Sequence, residues 1–346
     1  MTSGELPIPP HFDPEGVGSV WRVPYQERAD EAEVWAREHG LLPAAHDEMR
    51  IALLLVDVQN TFCLPEFELF VAGPSGRGAV EDNARLCEFM YRNLGRITRI
   101  ALTLDTHKAM QIFHPVFWVD ENGDHPVGGR TTISAEDVQS GKWRVNPAVA
   151  EDTAGGNLAY LKRHAEHYVA TLDERGKFPL LVWPYHALVT GISHALVSAV
   201  DEAVFFHTIA RQSQAWFEIK GDNPLTEHYS ALGPEVMRDP DGRTIGEENT
   251  ALIESLLQFD HVLIAGQAKS HCVNWTVRDL LREIERRDAA LARKFYLLED
   301  CTSPVVVPDG PDFTQQATEA FESFAEAGMH IVRSTDPLDS WPGMGT

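Results

Sequence analysis

The sequence has no hydrophobic run long enough to cross a membrane, and we expect no signal peptide. No segment approaches the roughly 18 consecutive apolar residues of a transmembrane helix, and residues 1–10 are polar and proline-rich, without the apolar core of a secretory signal. Only four cysteines occur in 346 residues, too few for a disulfide framework. We therefore predict a cytoplasmic protein with reduced thiols.

Basic residues are also scarce. The chain has 29 Lys and Arg against 52 Asp and Glu, which gives a formal net charge of −23. Such a charge argues against polyanionic partners, so we expect neither nucleic acid nor an anionic membrane surface to bind. The hydrophobic content of 43% is ordinary and lets a chain of this length bury a large core.

Strand and helix patterns alternate along most of the chain. Residues 51–56 form a continuous apolar run that ends on Asp57, typical of a strand that is buried on both faces of a parallel sheet. In the last third, helical patterns at 247–258, 272–287 and 313–327 alternate with strand patterns at 261–265, 295–298 and 329–332. This alternation predicts an α/β fold with three layers, α/β/α, around a central, mainly parallel sheet.

The rest of the chain gives further elements and a domain plan. Helices are predicted at about 26–39, 83–94, 157–174 and 194–211, and strands at 100–104, 179–182 and 216–220. Residues 1–48 are predicted to be an N-terminal extension, either wrapped on the domain or part of a subunit contact. Residues 49–335 form the domain, with a large insertion at about 108–178, and residues 336–346 form a C-terminal tail.

Cys272 is predicted to lie at the start of a helix, just after a strand that Gly266 ends. Unpaired backbone N–H groups and the helix dipole favour a thiolate at such a position, and the same N–H groups can hold an oxyanion. The alternative is a small buried side chain without a chemical role, which is common for a single cysteine.

Two charged residues at other strand ends complete a candidate nucleophilic site. Asp57 ends the first strand and could move a proton, while Lys220 ends the strand at 216–220 and could favour the thiolate. Ordinary alternatives stay open here, a cap or turn role for Asp57 and a solvated charge for Lys220.

A second group of residues is typical of a metal site. Asp105 and His107 stand two apart just past a strand end, and His186 follows another short strand. One carboxylate and two imidazoles suit Zn²⁺, Fe²⁺ or Mn²⁺ and leave positions open for water or substrate. His114 and His125 are competitors for the third ligand position, although His125 lies in a polar stretch that we interpret as surface.

Five short motifs, in order along the chain, resemble those of the isochorismatase-like cysteine hydrolases and, among these, of the nicotinamidase branch. They are DVQNTF at 57–62, DTH at 105–107, WPYH at 183–186, KGDNP at 220–224 with YSA at 229–231, and GQAKSHCV at 266–273. The resemblance spans about residues 51–332. It implies the isochorismatase-like hydrolase fold.

The resemblance also implies roles for individual residues. The catalytic residues would be the nucleophile Cys272, the general acid and base Asp57, and Lys220 beside the thiolate. The oxyanion hole would be the backbone N–H groups of Ala268 and Cys272, next to a cis peptide bond between Gln267 and Ala268. The remaining residues would bind metal or line a ring pocket: Asp105, His107 and His186 for the metal, and Phe62, Trp183 and Tyr229 for the pocket.

The leading hypothesis is therefore a metal-dependent cysteine amidohydrolase that converts nicotinamide, or a related aromatic carboxamide, to the acid and ammonia through a Cys272 thioester. Zinc is the first choice of metal, with iron or manganese as alternatives, and a homo-oligomer is compatible with the pattern. One rival is a cysteine hydrolase of another small amide or an N-carbamoyl compound. Others are a non-catalytic binding or assembly module on the same fold and a metal hydrolase in which Cys272 is a bystander.

Overall fold

The computed structural model describes residues 4–307 and 310–345. The first three residues of the predicted extension and the last residue of the predicted tail lie outside this range. The described strands are β1 (Ile51–Val56), β2 (Ile97–Asp105), β3 (Trp118–Val119), β4 (Thr132–Ile133), β5 (Arg144–Val145), β6 (Leu180–Leu181), β7 (Trp216–Lys220), β8 (His261–Gly266), β9 (Phe295–Leu298) and β10 (His330–Val332).

The α-helices of the described residues are distributed along the whole chain. They are α1 (Tyr25–Glu38), α2 (Asn60–Cys63), α3 (Gly78–Arg92), α4 (Ala135–Gln139), α5 (Ala150–Ala154), α6 (Leu158–Glu174), α7 (Ser198–Arg211), α8 (Thr250–Leu257), α9 (Cys272–Arg287) and α10 (Thr314–Glu326). The chain divides into two compact units. The first comprises Met1–Leu104, Ala195–Glu218 and Thr250–Thr346, and the second Asp105–His194 and Ile219–Asn249.

A six-stranded sheet with the order β10-β9-β8-β1-β2-β7 is the centre of the first unit. The pairs β1–β2, β1–β8, β8–β9 and β9–β10 are all parallel. Every residue of β1 is buried, as its continuous apolar run predicts. The last residue of β2 and the last two of β7 are counted in the second unit.

Helices flank this sheet. Ile51, Leu53 and Leu55 of β1 belong to one core with buried side chains of α3 and α7. The alternate residues of β1 point to the other face of the sheet, as in any strand, and α9 and α10 pack against each other outside that core. The predicted three-layer α/β/α class with a mainly parallel sheet is thus confirmed.

The N-terminal extension packs on α7 and α3 of the same unit. The hydroxyl of Ser198, at the start of α7, accepts a hydrogen bond from Trp21 N–H at 2.9 Å and donates one to Trp21 O at 2.9 Å. Tyr25 donates to Asp201 at 2.5 Å, and α1 lies along α7.

Helix α7 begins later than predicted. The pattern at 194–211 predicted one continuous helix, but α7 starts at Ser198. Residues 195–197 are extended instead, because they pair with the segment that follows Asp57: Asn60 N–H donates to Ala195 O at 2.9 Å and Val197 N–H to Val58 O at 3.0 Å. Backbone pairing with a distant segment thus replaces the first helical turn.

The second unit has its own hydrophobic core. Two small antiparallel sheets, β3–β5 and β4–β6, and the helices α4, α5 and α6 surround it. The strand predicted at 179–182 is the two-residue β6, which pairs with β4. Helix α6, predicted at 157–174, buries one face that includes Leu161, His164 and Tyr168.

Candidate functional site

In the first unit, Asp57 follows the last residue of β1 and is fully buried. Its backbone φ is +48°, a left-handed conformation that is uncommon outside glycine. Thr103 on the neighbouring strand holds it at two points. The Thr103 hydroxyl donates to Asp57 Oδ1 at 2.5 Å and accepts from Asp57 N–H at 3.1 Å.

The turn that carries Cys272 begins beside Asp57. Strands β1 and β8 pair so that Val56 lies opposite Gly266, and Gln267 N–H donates to Val56 O at 2.8 Å. Gly266 has a φ of +115°, and a Cβ atom there would lie 2.1 Å from Val56 O, so only glycine fits. The Gln267–Ala268 peptide bond is cis, as the resemblance implied.

Cys272 is the first residue of α9, the position that the sequence predicts. Cys272 is buried, with 7% of its surface exposed. Burial raises the pKa of the other three cysteines, Cys63, Cys87 and Cys301, well above the ordinary thiol value.

A buried hydrogen-bond network supports this turn. Gln267 Nε2 donates to Asp82 Oδ2 at 2.9 Å, and Ser303 N–H donates to Gln267 Oε1 at 3.2 Å. Lys269 N–H donates to Ser303 O at 2.8 Å. Burial raises the pKa of Asp82 to about 6, although hydrogen bonds from Ser303 and Gln267 and the charge of Arg85 partly oppose the shift.

The second unit brings together the three residues predicted to bind a metal. Asp105, His107 and His186 are all buried, and one potential ligand atom from each lies within 4.8 Å of the others. His107 Nε2 is 2.9 Å from Asp105 Oδ2, and His186 Nε2 is 3.8 Å from the same oxygen. The donor set, one carboxylate and two imidazoles, suits a divalent transition metal.

Backbone carbonyls fix the orientation of both histidines. Nδ1 of His107 donates to Gly221 O at 3.0 Å, and Nδ1 of His186 donates to Pro184 O at 2.8 Å. A carbonyl only accepts, so each Nδ1 carries a proton, and Nε2 is the nitrogen of each ring that is available to a metal. This is the arrangement in which metal-binding histidines are commonly held, and the residues present fit a metal.

The charge states of the group also suit a cation. Burial acts to raise the pKa of Asp105, but the charges of His107 and Lys220 outweigh it and hold that pKa well below its usual range. Burial lowers the pKa of His186, which favours the neutral, ligating imidazole. The pKa of His107 is raised because Asp105 outweighs the effect of burial, so a bound metal would displace a proton there.

The structure distinguishes between the two histidines that compete for a ligand position, His114 and His125. The ring of His114 lies 5.8 Å from that of His107 and 5.7 Å from that of His186. Its Nδ1 donates to Lys108 O at 3.0 Å, while its buried Nε2 has no hydrogen-bond partner among residues 4–307 and 310–345. His125 is exposed and donates to Trp118 O at 2.7 Å, which fits the interpretation as surface.

Lys220 is buried in the second unit and hydrogen-bonds to Asp105, one of the three candidate metal ligands. Its Nζ donates to Asp105 Oδ1 at 3.0 Å and to His228 O at 2.8 Å. Sequence reasoning missed Glu227, a nearly fully buried carboxyl whose pKa burial raises to about 8, with His107 opposing and Asp105 adding to the shift. Only its burial distinguishes Glu227 from other carboxyls, and burial cannot be read from the sequence alone.

The predicted ring-pocket residues divide between the units. In the second unit, Trp183 Nε1 donates to the hydroxyl of Tyr229 at 3.1 Å, and the Trp183 ring lies 6.4 Å from that of His186. Trp183 thus lies beside His186, and Tyr229 contacts Trp183. Phe62 is half-buried in α2 of the first unit. Asp57, Ala268 and Cys272 lie in the first unit too.

Comparison with known proteins gives matches among solved structures. Those similar to this chain are nicotinamidases and pyrazinamidases. A nicotinamidase/pyrazinamidase of Acinetobacter baumanii is 20% identical with a TM-score of 0.47, and the match covers 83% of this chain and 97% of that one. The yeast nicotinamidase bound to the inhibitor nicotinaldehyde is 17% identical with a TM-score of 0.46 and coverages of 82% and 99%.

A pyrazinamidase of Pyrococcus horikoshii in complex with zinc is 18% identical with a TM-score of 0.40, and the match covers 82% of this chain and 98% of that one. The chain matches no protein-family model and no curated protein.

Within residues 4–307 and 310–345, no helix is both long and apolar enough to span a membrane.

Proposed function

We propose that this chain is a metal-dependent cysteine amidohydrolase that deamidates nicotinamide or a related aromatic carboxamide. The observation that carries the proposal is the buried group of Asp105, His107 and His186, with both histidines held by backbone carbonyls. Trp183 and Tyr229 beside it offer aromatic surfaces for a ring. The cysteine at the start of α9 supplies the nucleophile.

The proposed reaction has two steps. The Cys272 sulfur attacks the carboxamide carbon, and the backbone N–H groups of Ala268 and Cys272 hold the oxyanion that forms. Asp57 takes the thiol proton of Cys272 and delivers it to the leaving nitrogen, so that the C–N bond breaks, ammonia leaves and a thioester remains on the sulfur. Asp57 then takes a proton from water, which attacks the thioester and releases the acid. Lys220 has the role of favouring the thiolate.

The second unit would bind the ring of the substrate. Asp105, His107 and His186 would hold a divalent metal, with zinc as the first choice. When bound, the metal supplies a Lewis acid that can anchor and polarise an aromatic ring nitrogen. Trp183 and Tyr229 would orient the ring.

The first test is ammonia release from nicotinamide by the zinc-loaded protein. Cys272→Ala removes the atom that forms the thioester, so we expect turnover to fall by about 10³-fold or more. Cys87→Ala is the matched control, because this thiol is buried in α3. It should keep nearly the wild-type rate once folding is verified.

Two results would contradict this proposal in different ways. Turnover that survives Cys272→Ala but disappears with a chelator would indicate a hydrolase in which the metal activates water. No turnover of nicotinamide by the wild type, together with rapid alkylation of Cys272 by iodoacetamide, would indicate a cysteine hydrolase of another amide.

We further propose that His114 is an additional metal ligand. Its Nε2 is buried without a hydrogen-bond partner in the described chain, and its ring lies beside those of His107 and His186. Burial and these two neighbours lower the pKa of His114 to about 3, so the ring is neutral near pH 7. A buried nitrogen lone pair without a partner is costly unless it has a ligand.

Variants of the two competing histidines test this ligand. We expect His114→Ala to weaken zinc binding by about tenfold or more, measured as zinc retained after dialysis against graded chelator. His125→Ala should retain zinc like the wild type, since His125 is exposed and bonds to Trp118 O. Equal retention by both variants would exclude His114 as a ligand.

A further inference from the structure

We infer that Gln111 is a positioning residue for the proposed metal site and that it acts through the carbonyl of Gly221 on His107. This inference rests on the metal-dependent function proposed above and concerns how the protein prepares a ligand before any metal arrives. Gln111 belongs to none of the motifs in the sequence. Its side chain is fully buried in the second unit.

Three hydrogen bonds fix the amide of Gln111. Its Nε2 donates to Gly221 O at 2.6 Å and to Asn223 O at 3.0 Å, and its Oε1 accepts from Lys108 N–H at 2.9 Å. The two carbonyls require a donor and the N–H requires an acceptor, so the amide has a single orientation that satisfies all three. The side chain therefore ties the segment after His107 to the turn after Lys220.

The carbonyl of Gly221 is shared between Gln111 and His107. It accepts from Gln111 Nε2 and from His107 Nδ1 at 3.0 Å, so both of its lone pairs are used. The turn itself leaves little room for another arrangement. Gly221 has a φ of +85°, and a Cβ atom there would lie 2.7 Å from both Asp105 Oδ1 and His107 Cε1.

The orientation of this carbonyl determines which nitrogen of His107 faces Asp105 and the proposed metal site. With the carbonyl in place, Nδ1 is the donor and Nε2 points at Asp105, 2.9 Å away. Without Gln111, the peptide of Gly221 would lose the contact that holds it toward His107. The imidazole would then be free to rotate, and Nε2 would no longer be held at the position of a ligand.

The backbone of Gln111 also supports His114. Gln111 O accepts from His114 N–H at 2.9 Å. One residue thus orients His107 through its side chain and anchors the backbone of the histidine proposed as an additional ligand.

The test is zinc affinity of the metal-free protein, measured by competition with a chromophoric chelator and without substrate. Gln111→Met fills a similar volume but cannot hydrogen-bond, and we expect the Kd for zinc to rise about 10- to 100-fold. Asn146→Ala is the matched control. Asn146 Nδ2 donates to Val116 O at 2.8 Å in the same unit, so this variant loses an amide-to-carbonyl bond away from the histidines.

A spectroscopic measurement separates positioning from general destabilisation. Long-range proton–nitrogen correlation spectra, recorded at a pH above the pKa of His107, report the tautomer of its neutral ring in the metal-free protein. We expect a proton on Nδ1 in the wild type and in Asn146→Ala, and a mixture of tautomers in Gln111→Met. A variant that is merely less stable would keep the wild-type tautomer below its melting temperature.

A second variant covers the case in which Gln111→Met does not fold. Gln111→Glu keeps the acceptor for Lys108 N–H but replaces the donor to Gly221 O, so its zinc affinity should fall at least tenfold. Wild-type affinity in either folded variant would overturn the inference, and a wild type that binds no zinc would overturn it together with the metal site. Zinc bound without nicotinamide turnover would overturn only the proposed function.

Discussion

A single buried carboxyl, Asp82, shows how the turn before Cys272 is held and what that costs. Asp82 accepts hydrogen bonds from Gln267 at 2.9 Å and from Arg85 at 2.9 Å, yet it is only 2% exposed. Burial raises its pKa to about 6 in the folded protein from its ordinary value of 3.8. The folded state therefore binds the proton more tightly than the unfolded chain does.

This difference gives stability a pH dependence of known sign. Because the folded pKa is the higher one, stability decreases as pH rises from about 4 to about 6, by up to roughly 3 kcal/mol if no other group compensates. Asp82→Asn cannot ionise. Any stability that the variant loses with the acceptor is lost by the same amount at every pH. The stability of the variant relative to that of the wild type should nevertheless increase between pH 4 and pH 7.

Urea unfolding of the metal-free proteins at these two pH values measures the effect. Asp336→Asn is the matched control, because Asp336 is exposed and lies in a turn of the same unit. It should follow the pH dependence of the wild type. If Asp82→Asn also follows it, the carboxyl of Asp82 does not titrate differently in the folded and unfolded states.

At the scale of elements, local sequence patterns predicted those strands and helices whose formation depends only on residues nearby in the sequence. The apolar runs of β1 and β8 and the helical periodicity of α6 and α9 required no knowledge of the rest of the chain. The start of α7 did require it, because residues 195–197 pair with 58–60. A helical pattern cannot report that a distant backbone segment offers better hydrogen-bond partners.

The same distinction applies to the candidate site. Asp105, His107 and His186 were predicted because a strand end and a short motif mark each of them, and the structure places them together. Gln111 and Glu227 have no such marks. Gln111 acquires its role from a contact 110 residues away, and Glu227 from burial. Such properties arise only when the segments 105–194 and 219–249 fold together.

At the scale of the whole molecule, the N-terminal extension is part of the packing of the first unit. Leu6, Val17 and Val23 are buried, and the backbone of Trp21 exchanges two hydrogen bonds with Ser198 at the start of α7. The residues just before α7 pair with the segment after Asp57. The extension thus supports helix α7, and the residues just before α7 contact the segment that follows Asp57, the proposed general acid and base.

Deleting residues 1–24 should therefore lower both stability and turnover. Exposing or removing three buried apolar side chains costs about 5 kcal/mol, an upper figure because the unfolded chain is itself partly compact. We expect the midpoint of urea unfolding to fall clearly, and ammonia release to fall even at temperatures where the shortened chain is folded.

Ser198→Ala should give a smaller loss of stability, of about 1 to 3 kcal/mol, because it leaves the Trp21 N–H and carbonyl without their partner.

Light scattering decides between the two roles that the sequence left open for the extension. If the extension only packs on its own chain, the shortened protein loses stability while its mass per particle stays that of the wild type, corrected for the deletion. If instead it forms a subunit contact, the particle mass falls to that of a smaller assembly and the loss of stability depends on protein concentration. Unchanged stability, turnover and particle mass would contradict both roles, and the buried side chains of Val17 and Val23 would then contribute nothing that the rest of the unit cannot replace.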